Sequence, residues 1–126
     1  ADMPLWRVML RAYSATDIQS AIAALDAVGL GDHLNQRADT LSGGQQQRVA
    51  IARAIAQKSR IILADEPVAS LDPATAVAIL ELLKKLARQN RIAVLCTLHQ
   101  PDLARRFADR VLIMEAGRLQ QPVGVK

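Results

Sequence analysis

With 126 residues the chain has the length of one ordinary domain, and 51% hydrophobic against 22% charged residues excludes a disordered chain. The sixteen basic and twelve acidic residues give a formal charge of +4; no basic run forms and no aromatic residues interleave as stacking platforms, which argues against direct nucleic-acid binding. One cysteine rules out an internal disulfide and fits a reducing compartment, and no stretch reaches the roughly 18 apolar residues of a membrane span.

Residues 4–13 read as a short amphipathic helix, and Ala1 to Leu10 is too short and too interrupted by Arg7 to be a signal peptide. Residues 16–28 read as another, with Ile18, Ile22 and Leu25 at helical spacing. Gly29 and Gly31 stop it, and a loop over 32–40 leads to a helix starting at Ser42, whose packed face is Val49, Ile51, Ala52, Ile55 and Ala56. Ile61 to Ala64 reads as a short buried strand. Asp72 and Pro73 mark the next helix start, with Val77, Leu80, Leu83 and Ala87 as its buried stripe. A second buried strand over Ile92 to Thr97 carries Cys96 as an inert thiol. Then come a short helix over 101–108, a third strand over Val111 to Met114 ending at a Glu-Ala-Gly turn, and six loosely ordered residues. This alternation predicts an α/β layered fold with a mostly parallel sheet.

Three places along this pattern carry possible chemistry. Ser42-Gly43-Gly44 opens a helix, where unpaired N–H groups and about half a positive charge favour an anion. Ser42 and Gln45 also have the spacing of a capping box, which explains the helix start but not two glycines that each cost about 1 kcal/mol there. Asp65 and Glu66 end a strand, at the sheet edge where open α/β folds bind ligands. Asp65 could hold Mg²⁺ through water and Glu66 could orient a water for attack on phosphate; a capping pair is the plainer reading. His99 follows the next strand and could reach the same site, or could be an ordinary strand-end residue. His33, in a polar loop without a partner nearby in sequence, is given no role, and helix capping suffices for Asp72.

In order, Leu41-Ser42-Gly43-Gly44-Gln45, Ile61-Ile62-Leu63-Ala64-Asp65-Glu66, Ser70-Leu71-Asp72 and His99 resemble the signature, Walker B, D-loop and switch histidine of ATP-binding-cassette ATPases. The resemblance covers nearly the whole chain. It implies a P-loop NTPase-like fold, with residues 1–47 as part of the helical subdomain and 48–126 as the carboxyl-terminal part of the ATPase core. It also implies ATP and Mg²⁺ as ligands. Ser42, Gly43 and Gly44 would contact the γ-phosphate of an ATP held by a second subunit, with Gln45 beside them. Asp65 would be the Mg²⁺ aspartate, Glu66 the catalytic base, Asp72 a cross-dimer contact and His99 the γ-phosphate sensor.

Val68-Ala69-Ser70 after Glu66-Pro67, and Thr97-Leu98-His99-Gln100 around the switch, depart from the commonest pattern and resemble the ATP-binding subunits of phosphonate importers. The implied protein is a peripheral ATPase on the cytoplasmic face of the inner membrane. It would dimerise, drive integral membrane permease subunits and work indirectly with a substrate-binding protein. A chromosome-maintenance or repair ATPase shares the motifs, but would carry a long heptad-patterned coiled coil where residues 1–40 offer only short helices. A non-catalytic binding fragment is the remaining alternative.

Glycines lie at 29, 31, 43, 44, 117 and 124, and none begins a G-x-x-x-x-G-K-S/T loop. The 126 residues therefore read as the carboxyl-terminal part of a cassette, without ATP hydrolysis of their own. Parallel strands need cover on both faces. The isolated chain is accordingly expected to be poorly soluble, and cooperative thermal unfolding of a soluble monomer in calorimetry would contradict this.

Overall fold

The chain parts into two compact units, Ala1–Ile62 and Leu63–Lys126, with the division inside its first strand. The computed structural model describes residues 13–120, so the helix expected over 4–13, but for Tyr13, and the loosely ordered last six residues lie outside the described residues.

In the first unit α1 spans Ala15–Ala27 and α2 spans Gly43–Ala56. Ser14 caps α1: the Asp17 N–H donates to Ser14 Oγ at 3.1 Å and the Ser14 N–H to Asp17 Oδ2 at 3.0 Å. At the other end the Gly29 N–H bonds the Asp26 carbonyl at 3.0 Å and the Leu30 N–H the Leu25 carbonyl at 2.8 Å. This is the Schellman arrangement, and Gly29 supplies the left-handed residue it needs with φ of +75°. Arg48 of α2 donates from Nη1 to the Val28 carbonyl at 2.8 Å, tying the end of α1 to the middle of α2. The buried residues of this unit include Ala24, Val28, Leu30, Ile51 and Ala52. Val28 is fully enclosed, worth about 1.5 to 3 kcal/mol for a side chain of its kind. Ile18 and Ile22, expected in the buried stripe, are exposed; the packed face of α1 runs instead through Ala24 toward Val28. Two short 3₁₀ turns, Gly31–His33 and Ala38–Thr40, break up the expected loop.

From the division onward the chain follows β1 (Ile61–Ala64), α3 (Pro73–Asn90), β2 (Ala93–Cys96), α4 (Pro101–Phe107), β3 (Met114–Glu115) and β4 (Arg118–Leu119). Strands β1 and β2 are parallel neighbours joined through α3, which packs on β2 and α4. Asp72 caps α3 and Pro73 fills its first turn, as expected. Its buried face is Ala76, Ile79, Leu80, Leu82, Leu83 and Leu86; Val77 and Ala87, expected in the stripe, are only half-buried. So many apolar residues line α3 that its packing partners, not the spacing, decide which face is covered.

Two expectations need correction. The strands are not buried on both faces: Ile61, Leu63 and Leu95 are 60%, 75% and 60% exposed, while Ile62 is buried and Val94 and Cys96 are half-buried. An apolar run signals a strand, but the alternation shows only one face covered. The strand expected over Val111 to Met114 is also displaced. Ala116 and Gly117 both take positive φ, +47° and +74°, the signature of a two-residue hairpin turn. The turn recruits Met114 and Glu115 to pair antiparallel with Leu119 and Arg118, leaving an isolated bridge at Val111.

Replacing Gly29 by Ala forces a side chain into the left-handed region, so Gly29→Ala should destabilise the protein by about 1 to 2 kcal/mol. Urea unfolding that gives an unchanged midpoint would show that the Schellman turn does not need this glycine.

Candidate functional site

The acidic end of β1 is fixed by residues that follow β2. The Thr97 N–H donates to the Ala64 carbonyl at 3.1 Å, adding one more rung beyond the β2 strand. Its hydroxyl donates to Asp65 Oδ1 at 2.7 Å and accepts the Glu66 N–H at 2.8 Å. Glu66 itself sits at φ of +46°, a region that costs a residue other than glycine roughly 1 to 2 kcal/mol. Its carbonyl accepts the Ala69 N–H at 3.2 Å, closing a turn with Pro67 second, the position this ring favours. Pro67 and Val68 are buried and anchor the turn.

Two residues beyond Thr97, the His99 Nε2 lies 2.5 Å from Glu66 Oε1. Both side chains reach solvent, at 78% and 46% exposure, so a ligand can approach them. Glu66, Val68, Ala69 and residues 97–100 line one open recess. The hydrogen bond that the Glu66 carboxylate accepts, then its charge and the charge of Asp65, hold the His99 pKa above the ordinary 6.5. The imidazolium form is therefore favoured in the folded chain. Its stabilisation is complete below pH 6.5 and is lost as pH rises through the raised folded value.

A second group lies within the first unit. Ser42 caps α2 as a capping box, with the Gln45 N–H donating to Ser42 Oγ at 3.3 Å and the Ser42 N–H to Gln45 Oε1 at 2.9 Å. Gly43 and Gly44 fill the first turn of α2, and neither takes the positive φ that would demand glycine. Local conformation therefore does not require glycine at either position. His33 has a partner after all: its Nε2 lies 3.0 Å from Gln45 Nε2.

The sites read from the sequence thus fall into two groups. Asp65, Glu66 and His99 come together; Ser42, Gly43, Gly44 and Gln45 form the other. The Asp72 carboxylate is occupied in capping α3, accepting from Ala74 N and Thr75 N at 3.1 and 3.0 Å. Bonds to Thr75 lead in holding its pKa below the usual carboxylate value. Among the described residues no cluster of three or more His, Cys, Asp or Glu could enclose a metal. Among the same residues no hydrogen bond reaches Asp65 Oδ2. One open carboxylate oxygen suits Mg²⁺, which keeps most of its waters.

Thr97 and His33 were missed. Thr97 could have been found from the strand order, since pairing β1 with β2 brings its hydroxyl to the acidic pair. His33 gave no local signal, because its contact with Gln45 spans twelve residues and a 3₁₀ turn.

The second unit is an α/β unit in which a strand ends in adjacent carboxylates, one of them bonded to a histidine. The chain belongs to the ABC transporter family, whose pattern matches residues 6–69. It is 56% identical over 119 residues to the hypophosphite import ATP-binding protein HtxD of Stutzerimonas stutzeri, across 94% of this chain and 35% of the relative. It is likewise 56% identical over 118 residues to the phosphonates import ATP-binding protein PhnC of Hyphomonas neptunium, across 93% of this chain and 45% of the relative. A dimeric ATP-binding cassette in a post-hydrolysis state with ADP and Pi superposes with a TM-score of 0.74 at 37% identity, over 91% of this chain and 50% of that one. The chain thus spans less than half the length of these two curated relatives. The expected P-loop NTPase-type fold, present as a partial domain, agrees with these neighbours. Among the described residues no helix is long and apolar enough to cross a membrane.

Because Glu66 raises the His99 pKa, Glu66→Gln should lower it toward 6.5. Proton NMR titration of the imidazole reads this directly, and an unchanged midpoint would remove Glu66 as the cause.

Proposed function

We propose that this chain supplies the signature, Walker B, D-loop and switch residues of the ATP-binding subunit of an ABC importer, coupling ATP hydrolysis to solute uptake. The observation that carries the reading is the Glu66–His99 pair at the end of β1, open to solvent in the recess of the second unit. Family membership supports ATP as the nucleotide. The two relatives named for hypophosphite and phosphonate import support a phosphonate or a related oxyanion as the solute.

In this reading Glu66 accepts a proton from the water that attacks the terminal phosphate, and its carboxylate orients that water. His99, whose pKa Glu66 raises, donates toward the phosphate oxygens as charge builds on them. Asp65 would hold Mg²⁺, and the ion would neutralise charge on the phosphates. Ser42 and the N–H groups of Gly43 and Gly44 face the γ-phosphate of an ATP on a second copy, where a helix start favours an anion. Gln45 lies beside them, and Asp72 contacts the partner copy. The dimer works against integral membrane permease subunits at the cytoplasmic face of the membrane, with a substrate-binding protein delivering the solute.

Replacing Glu66 by Gln keeps the shape and removes the base. In the full-length protein Glu66→Gln should slow ATP hydrolysis by roughly 10² to 10⁴ while sparing ATP binding. Turnover at the wild-type rate would take Glu66 out of this role.

A further inference from the structure

We propose that Thr97 is a positioning residue for this hydrolysis, its single hydroxyl setting both the Asp65 carboxylate and the Glu66 backbone. The inference rests on the functional reading above. It goes beyond that reading, which gives Thr97 no role, because Thr97 acts through its two neighbours.

The chemistry of the partners fixes the direction of both bonds. An ionised carboxylate only accepts, so the Thr97 proton points at Asp65 Oδ1, 2.7 Å away. A backbone N–H only donates, so the Thr97 oxygen accepts from Glu66 at 2.8 Å. Thr97 is itself immobilised, because its own N–H bonds the Ala64 carbonyl at 3.1 Å and a β-branched side chain has few rotamers. Residues 64, 65 and 66 are thereby each held by a different bond to one residue.

Both consequences bear on the proposed site. With Oδ1 engaged, Asp65 presents Oδ2, the oxygen that no hydrogen bond within the described residues reaches. With its N–H engaged, Glu66 is kept at φ of +46°, the backbone state from which its carboxylate meets His99. Packing does not account for Thr97, since the residue is exposed. Valine copies its shape without the hydroxyl, and serine keeps the hydroxyl without the methyl.

The test compares Thr97→Val and Thr97→Ser in the full-length protein, reading steady-state ATP hydrolysis and amide exchange at Glu66. Thr97→Val should lower kcat about 10- to 100-fold, as loss of alignment does, with KM for ATP within about threefold. It should also strip the Glu66 amide of its protection. Thr97→Ser should keep both close to wild type. A valine variant with wild-type kcat and a protected Glu66 amide overturns the proposal, as does a serine variant that fails like valine. Should the valine variant not fold, wild-type exchange decides: a Glu66 amide exchanging at the open-chain rate overturns the proposal, and a protected amide with an active serine variant sustains it. If the wild-type protein hydrolyses no ATP, the functional reading falls by itself. Thr97 is then judged by the Glu66 amide alone, lost in valine and kept in serine.

Discussion

The last rung between the two parallel strands, from the Thr97 N–H to the Ala64 carbonyl, is the constraint on which the acidic site depends. It sets residue 97 level with residue 64, and the rest follows by counting along both segments. The next groups on one side are the Asp65 carboxylate and the Glu66 N–H; on the other are the Thr97 hydroxyl and, two residues on, the His99 ring. A shift of register by one residue would send Thr97 to the opposite face of the strand and undo every one of these contacts. The fold holds the register by packing α3 against β2, through a helix whose buried residues include the fully enclosed Ile79.

What the sequence disclosed and what it hid divide by range. Ser42 with Gln45, and Asp72 with Pro73, were legible because a cap is made by residues within three positions of each other. The Glu66–His99 contact spans 33 residues; strand-end position brought His99 within reach of the acidic pair but did not foretell the direct bond to Glu66. Thr97 was passed over for the same reason, although its neighbours had been singled out. The strands were misjudged differently. Ile61-Ile62-Leu63 is uniformly apolar, and uniform apolarity does not say whether one face or two find cover. At the carboxyl end, Val111 to Met114 looked like one continuous strand, but the Ala116-Gly117 turn brings Leu119 and Arg118 back to pair only with Met114 and Glu115.

At the start of α2 the two readings of the Ser-Gly-Gly run turn out to be compatible. The capping box takes up the N–H of Gln45, the third helical residue, and leaves those of Gly43 and Gly44 without an intrahelical acceptor. A cap and an anion can therefore share one helix start. The cap orients the first turn, and the two glycines add no side chain beside the remaining N–H groups.

The contact between His33 and Gln45 fixes more than a distance. Gln45 Oε1 faces the Ser42 N–H, so its amide NH₂ faces His33, and the ring nitrogen there must accept. In that arrangement the ring's own N–H is at Nδ1. That nitrogen is enclosed and has no partner among the described residues. The glutamine amide, held at both ends, cannot turn over without breaking a bond at each.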